Sequence, residues 1–232
     1  MRKFMVHCIA MMLVSVAICE AQESDSVWRM VKYTPDYQFR EGIFLNFEQV
    51  RNNNPLPKSR ILTSVDYSDR DFFQKLLAEE TIKYFDGFGM RKEVETEDIW
   101  GYSKNGVLYI GLGGGFHRIT VIGSICHFLA SIISYDGQYY DPYYNRYAFY
   151  DYYYYNRRPN TYTKTEVRQF LLDFETGEVV DYDVTNLEVI LMKDPELHDE
   201  YATLRRRKKK QQKFLFIRRF NERNPVYLPA VD

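Results

Sequence analysis

The chain has 232 residues, of which 45% are hydrophobic and 17% aromatic, and its formal net charge is −1. This apolar content is sufficient for one hydrophobic core, so the composition excludes an intrinsically disordered chain. A net charge near zero gives no long-range field that would attract nucleic acid or acidic substrates. We therefore expect one globular domain whose partners do not include nucleic acid.

Residues 1–21 have the pattern of a secretory signal peptide. A positive start at Arg2 and Lys3 precedes an apolar run over 4–18, and cleavage is predicted after Ala21. The apolar run is shorter than the roughly 20 residues that a membrane-spanning helix needs. The sequence thus predicts an exported protein, periplasmic, associated with the outer membrane or extracellular, with no transmembrane segment in its mature chain.

Cleavage would leave Cys126 as the one cysteine of the mature chain, residues 22–232. An internal disulfide is then impossible, and burial of apolar surface has to stabilise the domain. Cys126 lies in an apolar stretch, which is typical of a core cysteine and not of a nucleophile. Lipidation of Cys19 is the alternative to cleavage, although the bulky Ile18 precedes that cysteine.

Short elements are predicted in the first part of the mature chain. Residues 42–45 read as a strand, and Asn46 with Gln49 has the spacing of a capping box, which predicts a short helix. The Asn-rich and Pro-rich sequence at 52–57 should stop that helix. A second short helix is predicted after Ser68, with apolar side chains on one face at 72, 73, 76 and 77.

The middle of the chain has the signals of β-hairpins. Residues 99–102 and 107–110 flank Asn105-Gly106, a pair that favours the positive φ angles of a type I′ turn. Three glycines at 113–115 predict another reversal, and residues 116–133 are predicted to form one central, mostly buried strand.

A second hairpin is predicted where residues 167–174 and 178–182 flank the turn at 175–177. Tight turns join antiparallel neighbours. The predicted fold class is therefore α+β: an antiparallel β-meander with short N-terminal helices and a long C-terminal helix packed on one face.

The C-terminal helix is predicted over about 194–223. Asp194 is placed to cap it and Pro195 to occupy its first turn. An apolar stripe follows at 197, 201 and 204, and the apolar side chains expected to pack beneath the helix farther on are Phe214, Ile217 and Phe220. The helix should stop near Asn224, leaving 226–229 as an extended tail.

Three segments carry a resemblance to a known group of proteins. They are Gly-Ile-Phe-Leu-Asn-Phe-Glu at 42–48, Asn-Asn-Asn-Pro at 52–55, and the ending at 220–229. These segments and the strand pattern between them resemble small uncharacterised exported proteins of the Bacteroidota. The resemblance implies a location in a Gram-negative envelope, and it brings no activity, cofactor or site residue.

Residues 135–162 contain twelve tyrosines without helical or strand periodicity. This predicts a low-complexity insertion between two strands. The alternative is a binding surface, because tyrosine offers a rigid amphipathic contact area at low entropic cost. The candidate partner-binding tyrosines are Tyr139, Tyr140, Tyr143, Tyr144, Tyr152, Tyr153, Tyr154 and Tyr155.

Residues 205–223 contain ten basic residues and one acidic residue, Glu222, whereas the rest of the predicted mature chain has 19 basic and 30 acidic residues. Six cations are consecutive: Arg205, Arg206, Arg207, Lys208, Lys209 and Lys210. They cannot all lie on one side of a helix. Either their long side chains cover the acidic body, or they bind an anionic partner such as lipopolysaccharide, anionic lipid or an acidic protein.

Motifs for chemistry are missing from the sequence. The glycines at 111–115 fail the dinucleotide pattern, and the histidines at 117, 127 and 198 have no zinc-ligand spacing. Ser124 lacks the second glycine of a nucleophile elbow, and the acids at 93–98 alternate as on the wet face of a strand. We therefore expect no cofactor and no metal, and favour a non-catalytic interaction or structural module of the envelope that binds a protein, glycan or anionic lipid. The alternative is an envelope-polymer hydrolase whose site is assembled in space.

Overall fold

The computed structural model describes residues 29–135 and 163–230. The predicted signal peptide at 1–21 and residues 136–162 of the Tyr-rich insertion lie outside this part of the chain. The described residues form an α+β fold, as the sequence predicts. No helix among them is both long enough and apolar enough to cross a membrane.

The strands of the described residues are β1 (Met30–Lys32), β2 (Gly42–Phe44), β3 (Ile61–Leu62), β4 (Thr81–Phe85), β5 (Arg91–Glu95), β6 (Gly101–Lys104), β7 (Val107–Leu112), β8 (Gly115–Val121), β9 (Ile125–Tyr135), β10 (Thr163–Asp173), β11 (Glu178–Asp181) and β12 (Tyr227–Pro229). The α-helices are α1 (Phe47–Arg51), α2 (Phe72–Leu76), α3 (Val184–Leu191), α4 (Pro195–Thr203) and α5 (Arg206–Arg223). Two 3₁₀ turns lie at Lys58–Arg60 and Thr96–Asp98.

The central element is a seven-stranded antiparallel sheet with the order β11-β10-β9-β8-β7-β6-β2. From β6 to β11 each strand pairs with its neighbour in sequence, so the predicted meander is confirmed. The longest pair is β9 with β10, in which Ile125 lies opposite Asp173 and Tyr135 opposite Thr163. Two smaller sheets, β3-β4-β5 and β1-β12, complete the β structure of the described residues.

The two faces of the large sheet have different coverings. One face, with Ile110, Phe128 and Phe170, packs against the N-terminal segment and β12. Along a strand, successive side chains point to opposite faces, and the opposite face is covered by helices. Helices α3 to α5 pack there over Ile125 and Leu171, and α2 packs over the β2 and β6 end.

The predicted turn at Asn105-Gly106 is confirmed. Lys104 lies opposite Val107, so the loop has two residues, and φ is 52° at Asn105 and 74° at Gly106. These angles are the signature of a type I′ turn, whose twist matches that of the paired strands. The hairpin of β10 and β11 is also present, with Asp173 opposite Glu178.

The prediction of one strand over residues 116–133 is wrong. The chain reverses between β8 and β9, which pair with each other. Gly123, with φ 152°, is at the reversal, and a Cβ there would collide with Asn221 of α5. The Asn221 amide holds the turn by accepting from the Ile125 N–H at 2.8 Å and donating to the Ile125 carbonyl at 2.9 Å. The largely apolar composition of residues 116–133 favoured one strand in the prediction. The turn within them is stabilised by a helix that comes much later in the chain.

The helix predicted over about 194–223 is two helices, α4 and α5. Leu204 and Arg205 between them have extended backbone, with ψ of 142° and 145°. This break turns the chain, so that Tyr201 of α4 and Phe216 of α5 are buried in the same cluster. The N-terminal part of the prediction holds, because the Asp194 side chain accepts from the Leu197 N–H and Pro195 lies in the first turn.

The capping box at Asn46 is confirmed with one difference. The Asn46 side chain accepts from the Gln49 N–H at 2.9 Å, whereas the Gln49 side chain accepts from the N–H of Leu45 at 2.7 Å, one residue before the cap. Helix α2 begins after Asp71, whose side chain makes no capping hydrogen bond. Helix α3 and the pairing of β1 with β12 were not predicted.

Candidate functional site

The candidate site is the long C-terminal helix α5 and the surface around it. Its inner face is fixed to the sheet by Phe216, Ile217 and Phe220, which are all buried. The predicted packing of Ile217 and Phe220 is confirmed. The prediction for Phe214 holds only in part, because its ring contacts His127 and Tyr182 while the side chain stays 47% exposed, and Phe216 takes the buried place expected for it. The helix is therefore held by a stripe centred on 216, 217 and 220.

Cations on the inner side of α5 have partners on the neighbouring helices. Lys209 lies 2.8 Å from the Glu188 carboxylate of α3. Arg219 donates to Glu200 of α4 at 2.6 Å, in a two-pronged contact that lowers the pKa of the Glu200 carboxyl. The side chains of this inner set thus attach α5 to the acidic body, as one of the two interpretations of the basic run predicts.

The last turn of α5 is tied to the start of α4. Arg223 donates to Asp194 at 2.7 Å and to Glu196 at 2.7 Å, and Asn224 donates to Asp194 at 3.1 Å. Burial alone would raise the pKa of the Asp194 carboxyl, but the hydrogen bonds from Arg223, Asn224 and the Leu197 amide together lower it. A cation at the C-terminus of a helix also interacts favourably with the helix dipole.

Four members of the basic run are exposed and take no part in this arrangement. Arg206, Arg207, Lys208 and Lys210 are exposed, and none of them has an ion pair within residues 29–135 and 163–230. Arg205, also exposed, precedes the helix and makes no side-chain capping bond. The run predicted as a possible partner-binding site is therefore divided: Lys209 belongs to the inner set, and its neighbours face solvent.

The unpaired cations are at the unfavourable end of the helix. The first turn of α5 contains no acidic residue, and the N-terminus of a helix carries the positive end of the dipole. A cation in the first turn costs about 0.3 kcal/mol at low salt when it is exposed, and adjacent like charges repel further. No ion pair among the described residues offsets this cost for Arg206, Arg207, Lys208 or Lys210.

Exposed apolar side chains lie among the same cations. Phe214 is 47% and Leu215 is 48% exposed. At 3.6 residues per turn, Arg207, Phe214 and Arg218 follow the i, i+7, i+11 spacing of one helix side. The other exposed cations and Leu215 lie at other angles around the helix, and we call the exposed set Arg206, Arg207, Lys208, Lys210, Phe214, Leu215 and Arg218 the outer face of α5.

The base of Phe214 rests on a small aromatic cluster. Its ring centroid lies 5.0 Å from that of His127 and 5.0 Å from that of Tyr182. Lys213 lies 3.4 Å from the centroid of the Tyr182 ring and donates to the Tyr182 carbonyl at 2.8 Å. Burial lowers the pKa of both Lys213 and His127. The cluster fixes the direction in which the Phe214 ring emerges.

A groove of about 1300 Å³ lies at the opposite end of the helix. Its walls come from the end of α1 and the turn after it, the β8–β9 reversal, the β10–β11 hairpin, Lys193, the end of α5, the strand β12, and Met30 of β1. Lys193 lies within it and donates to Asp173 at 2.6 Å and to Glu175 at 2.7 Å. The groove could not be predicted from the sequence, because its walls are far apart along the chain.

The cysteine, histidine and serine side chains considered as candidates for chemistry have structural roles in the fold. Cys126 is fully buried, and burial raises the pKa of its thiol to about 12, so it is a core residue as predicted. His127 is buried, with ring nitrogens 3.0 Å from Thr120 Oγ1 and 3.0 Å from Gln169 Oε1. The Ser124 hydroxyl donates to the Asn224 carbonyl. No group of three or more potential metal ligands lies together among the described residues.

The tyrosines proposed from the sequence as partner-binding residues, 139, 140, 143, 144 and 152–155, lie outside the described residues. Comparisons of the chain with protein-family models, curated proteins and solved structures gave no match. The resemblance to exported Bacteroidota proteins stays a prediction. The outer face of α5 and the groove are therefore the two candidate functional surfaces of the described residues.

Proposed function

We propose that the protein is a non-catalytic interaction module of a bacterial envelope, and that the outer face of α5 attaches it to an anionic lipid surface. One observation carries the proposal: exposed cations with no partner in the described chain surround two exposed apolar side chains on one helix. Helices that lie in a membrane interface combine these two features. The cations contact lipid phosphates, while Phe214 and Leu215 enter the acyl boundary.

The apolar pair favours one of the anionic partners considered for the basic run, a lipid surface. A purely electrostatic contact with an acidic protein needs only the cations, and it leaves Phe214 and Leu215 exposed. A lipid surface offers phosphates and hydrocarbon at adjacent depths, so it accommodates both kinds of side chain. Export through the predicted signal peptide would bring the helix to the envelope membranes.

Vesicle sedimentation tests the proposal. The protein, as residues 22–232, is mixed with vesicles of equal parts phosphatidylglycerol and phosphatidylcholine, or of phosphatidylcholine alone. Changing Arg206, Arg207, Lys208 and Lys210 to Gln should reduce partitioning into the anionic vesicles by roughly a thousandfold at low salt, because each cation contributes about 1 kcal/mol near an anionic membrane. Binding to the neutral vesicles should be weak for both proteins.

The matched control changes four exposed cations elsewhere, Arg60, Arg70, Lys83 and Arg91, to Gln. It alters the net charge by the same amount and leaves α5 intact. We expect this control to bind the anionic vesicles nearly as well as the unsubstituted protein. An equal loss of binding in both variants would show that net charge alone governs partitioning, and would contradict a role for the outer face.

A second candidate function has one observation in its favour. The carboxylates of Asp173 and Glu175 converge in the groove, as two acids do in many glycoside hydrolases. However, both carboxylates contact the Lys193 ammonium, so the oxygens that would have to reach a glycosidic bond already have a partner. Release of reducing ends from an envelope polysaccharide, abolished by Asp173→Asn and by Glu175→Gln, would favour this hydrolase over the binding module.

A further inference from the structure

The groove offers hydrogen-bonding side chains that the fold does not use. Arg51, Asn52 and Asn54 on its wall are exposed, and their side chains have no hydrogen-bond partner within the described residues. Arg51 is the last residue of α1, and Asn52 and Asn54 follow it on either side of Asn53, which has a positive φ of 45°. Asn53 is buried and accepts from the Arg40 N–H, so the turn is anchored between its exposed neighbours.

Another part of the groove lining carries exposed side chains with large apolar surfaces. Tyr227 of β12 is 53% exposed and Met30 of β1 is 52% exposed. Because Lys32 lies opposite Tyr227 and Met30 opposite Pro229 in the β1–β12 pair, both side chains are on the same face of that two-stranded sheet. An exposed tyrosine ring with a neighbouring thioether forms a platform for an apolar surface, while its hydroxyl stays available for hydrogen bonding.

The charge and size of the groove narrow the ligand class. Its formal charges are those of Arg51, Lys193, Asp173 and Glu175, so the net charge is zero and favours neither an anion nor a cation. The volume of about 1300 Å³ exceeds the range of roughly 300–1,000 Å³ that is typical of pockets for small ligands. These properties favour an elongated, neutral ligand that presents hydroxyl groups on its edges and C–H groups on its faces.

We infer that this groove binds a neutral oligosaccharide. A sugar ring stacks on Tyr227 and Met30, and its hydroxyl groups exchange hydrogen bonds with Asn52 and Asn54. Lys193 holds the Asp173 carboxylate in place, so that the floor of the groove is formed before the ligand arrives. The inference does not depend on lipid binding, because the groove and the outer face of α5 have no residue in common.

Isothermal titration with maltohexaose, cellohexaose and chitohexaose tests this inference, and hexagalacturonate serves as the anionic probe. We expect saturable binding of at least one neutral hexasaccharide at micromolar to millimolar concentration and weaker binding of hexagalacturonate. Tyr227→Ala should weaken that binding by roughly tenfold through loss of ring stacking, and the double change Asn52→Ala and Asn54→Ala should weaken it by a similar factor.

Phe88→Ala is the matched control, since Phe88 is 90% exposed and does not line the groove. This variant should bind the neutral hexasaccharide with the affinity of the unsubstituted protein. Circular dichroism of each variant establishes that it is folded before titration. Three results would each overturn the inference: no saturable binding of any neutral probe, tighter binding of hexagalacturonate, or an affinity that is insensitive to both the Tyr227 and the asparagine changes. The variant lacking the four outer-face cations should keep full affinity.

Discussion

The two sides of α5 use the same kinds of residue in opposite ways. On the inner side, Phe216 is fully covered and Arg219 pairs with Glu200. On the outer side, Leu215 is exposed and Arg207 has no ion pair in the described chain. Composition is therefore a poor guide to the role of a residue here. The inner side accounts for the position of the helix, and the outer side needs a partner outside the fold.

The largest effect on stability should come from the apolar side chains of α5. Phe216→Ala should lower the free energy of unfolding by about 3–5 kcal/mol, because it opens a cavity in the cluster under α5. Leu215→Ala should change it by less than about 0.5 kcal/mol. Urea denaturation followed by circular dichroism measures both. If Phe216→Ala fails to fold, Ile217→Val should still lower the free energy of unfolding by about 1 kcal/mol. Equal losses of stability in Leu215→Ala and Ile217→Val would contradict the distinction between the two sides.

The next largest effect on stability should come from the ion pairs on the inner side of α5. Asp194→Ala removes a helix cap and leaves Arg223 without its buried carboxylate, so the free energy of unfolding should fall by about 3 kcal/mol. Asp199→Ala is the control, since the Asp199 carboxylate on the same helix is 83% exposed. A similar loss of stability in both variants would show that the contacts of Asp194 stabilise the fold no more than an exposed carboxylate does.

The contribution of the Asp194 carboxylate to stability should depend on pH. The folded protein lowers the pKa of Asp194, so its stabilising contribution is complete above the ordinary aspartate value of about 4 and is lost as the pH falls through the lowered folded-state value. The stability difference between the unsubstituted protein and Asp194→Asn should therefore shrink in acid. Denaturation midpoints at pH 7 and pH 3 measure this, and a difference that grows at pH 3 would contradict it.

The smallest effect on stability should come from the outer side, with the opposite sign. Changing Arg206, Arg207, Lys208 and Lys210 to Gln relieves mutual repulsion and an unfavourable interaction with the helix dipole. The free energy of unfolding should stay the same or rise by up to about 1 kcal/mol in low salt, as measured by urea denaturation. A clear loss of stability would show that these cations do support the fold.

Much of the fold was predictable because its signals are local. The Asn105-Gly106 turn, the Asn46 cap and the Asp194 cap each depend on residues within a few positions of one another. The reversal at Gly123 was missed because Asn221, nearly a hundred residues later, stabilises it. The break after α4 was missed for a similar reason, since burial of Tyr201 and Phe216 in one cluster requires it.

The candidate site was predictable only in part. The basic run could be found from composition, but its division between Lys209, which pairs with Glu188, and its exposed neighbours depends on where α3 lies. The groove could not be found, because Asn52, Asp173 and Tyr227 come together only in the folded chain. Periodicity showed which residues share a helix side, and the tertiary structure decided which side is covered.

Contact of the outer face with lipid can be measured directly by fluorescence quenching. A Leu215→Trp variant is mixed with vesicles containing brominated phosphatidylglycerol, with the unsubstituted protein as background for Trp28 and Trp100 and with Phe88→Trp as the control for an exposed position elsewhere. We expect strong quenching from position 215 that disappears in high salt, and none from position 88. Equal quenching at both positions, or none at 215 while the protein is bound, would contradict attachment through the outer face of α5.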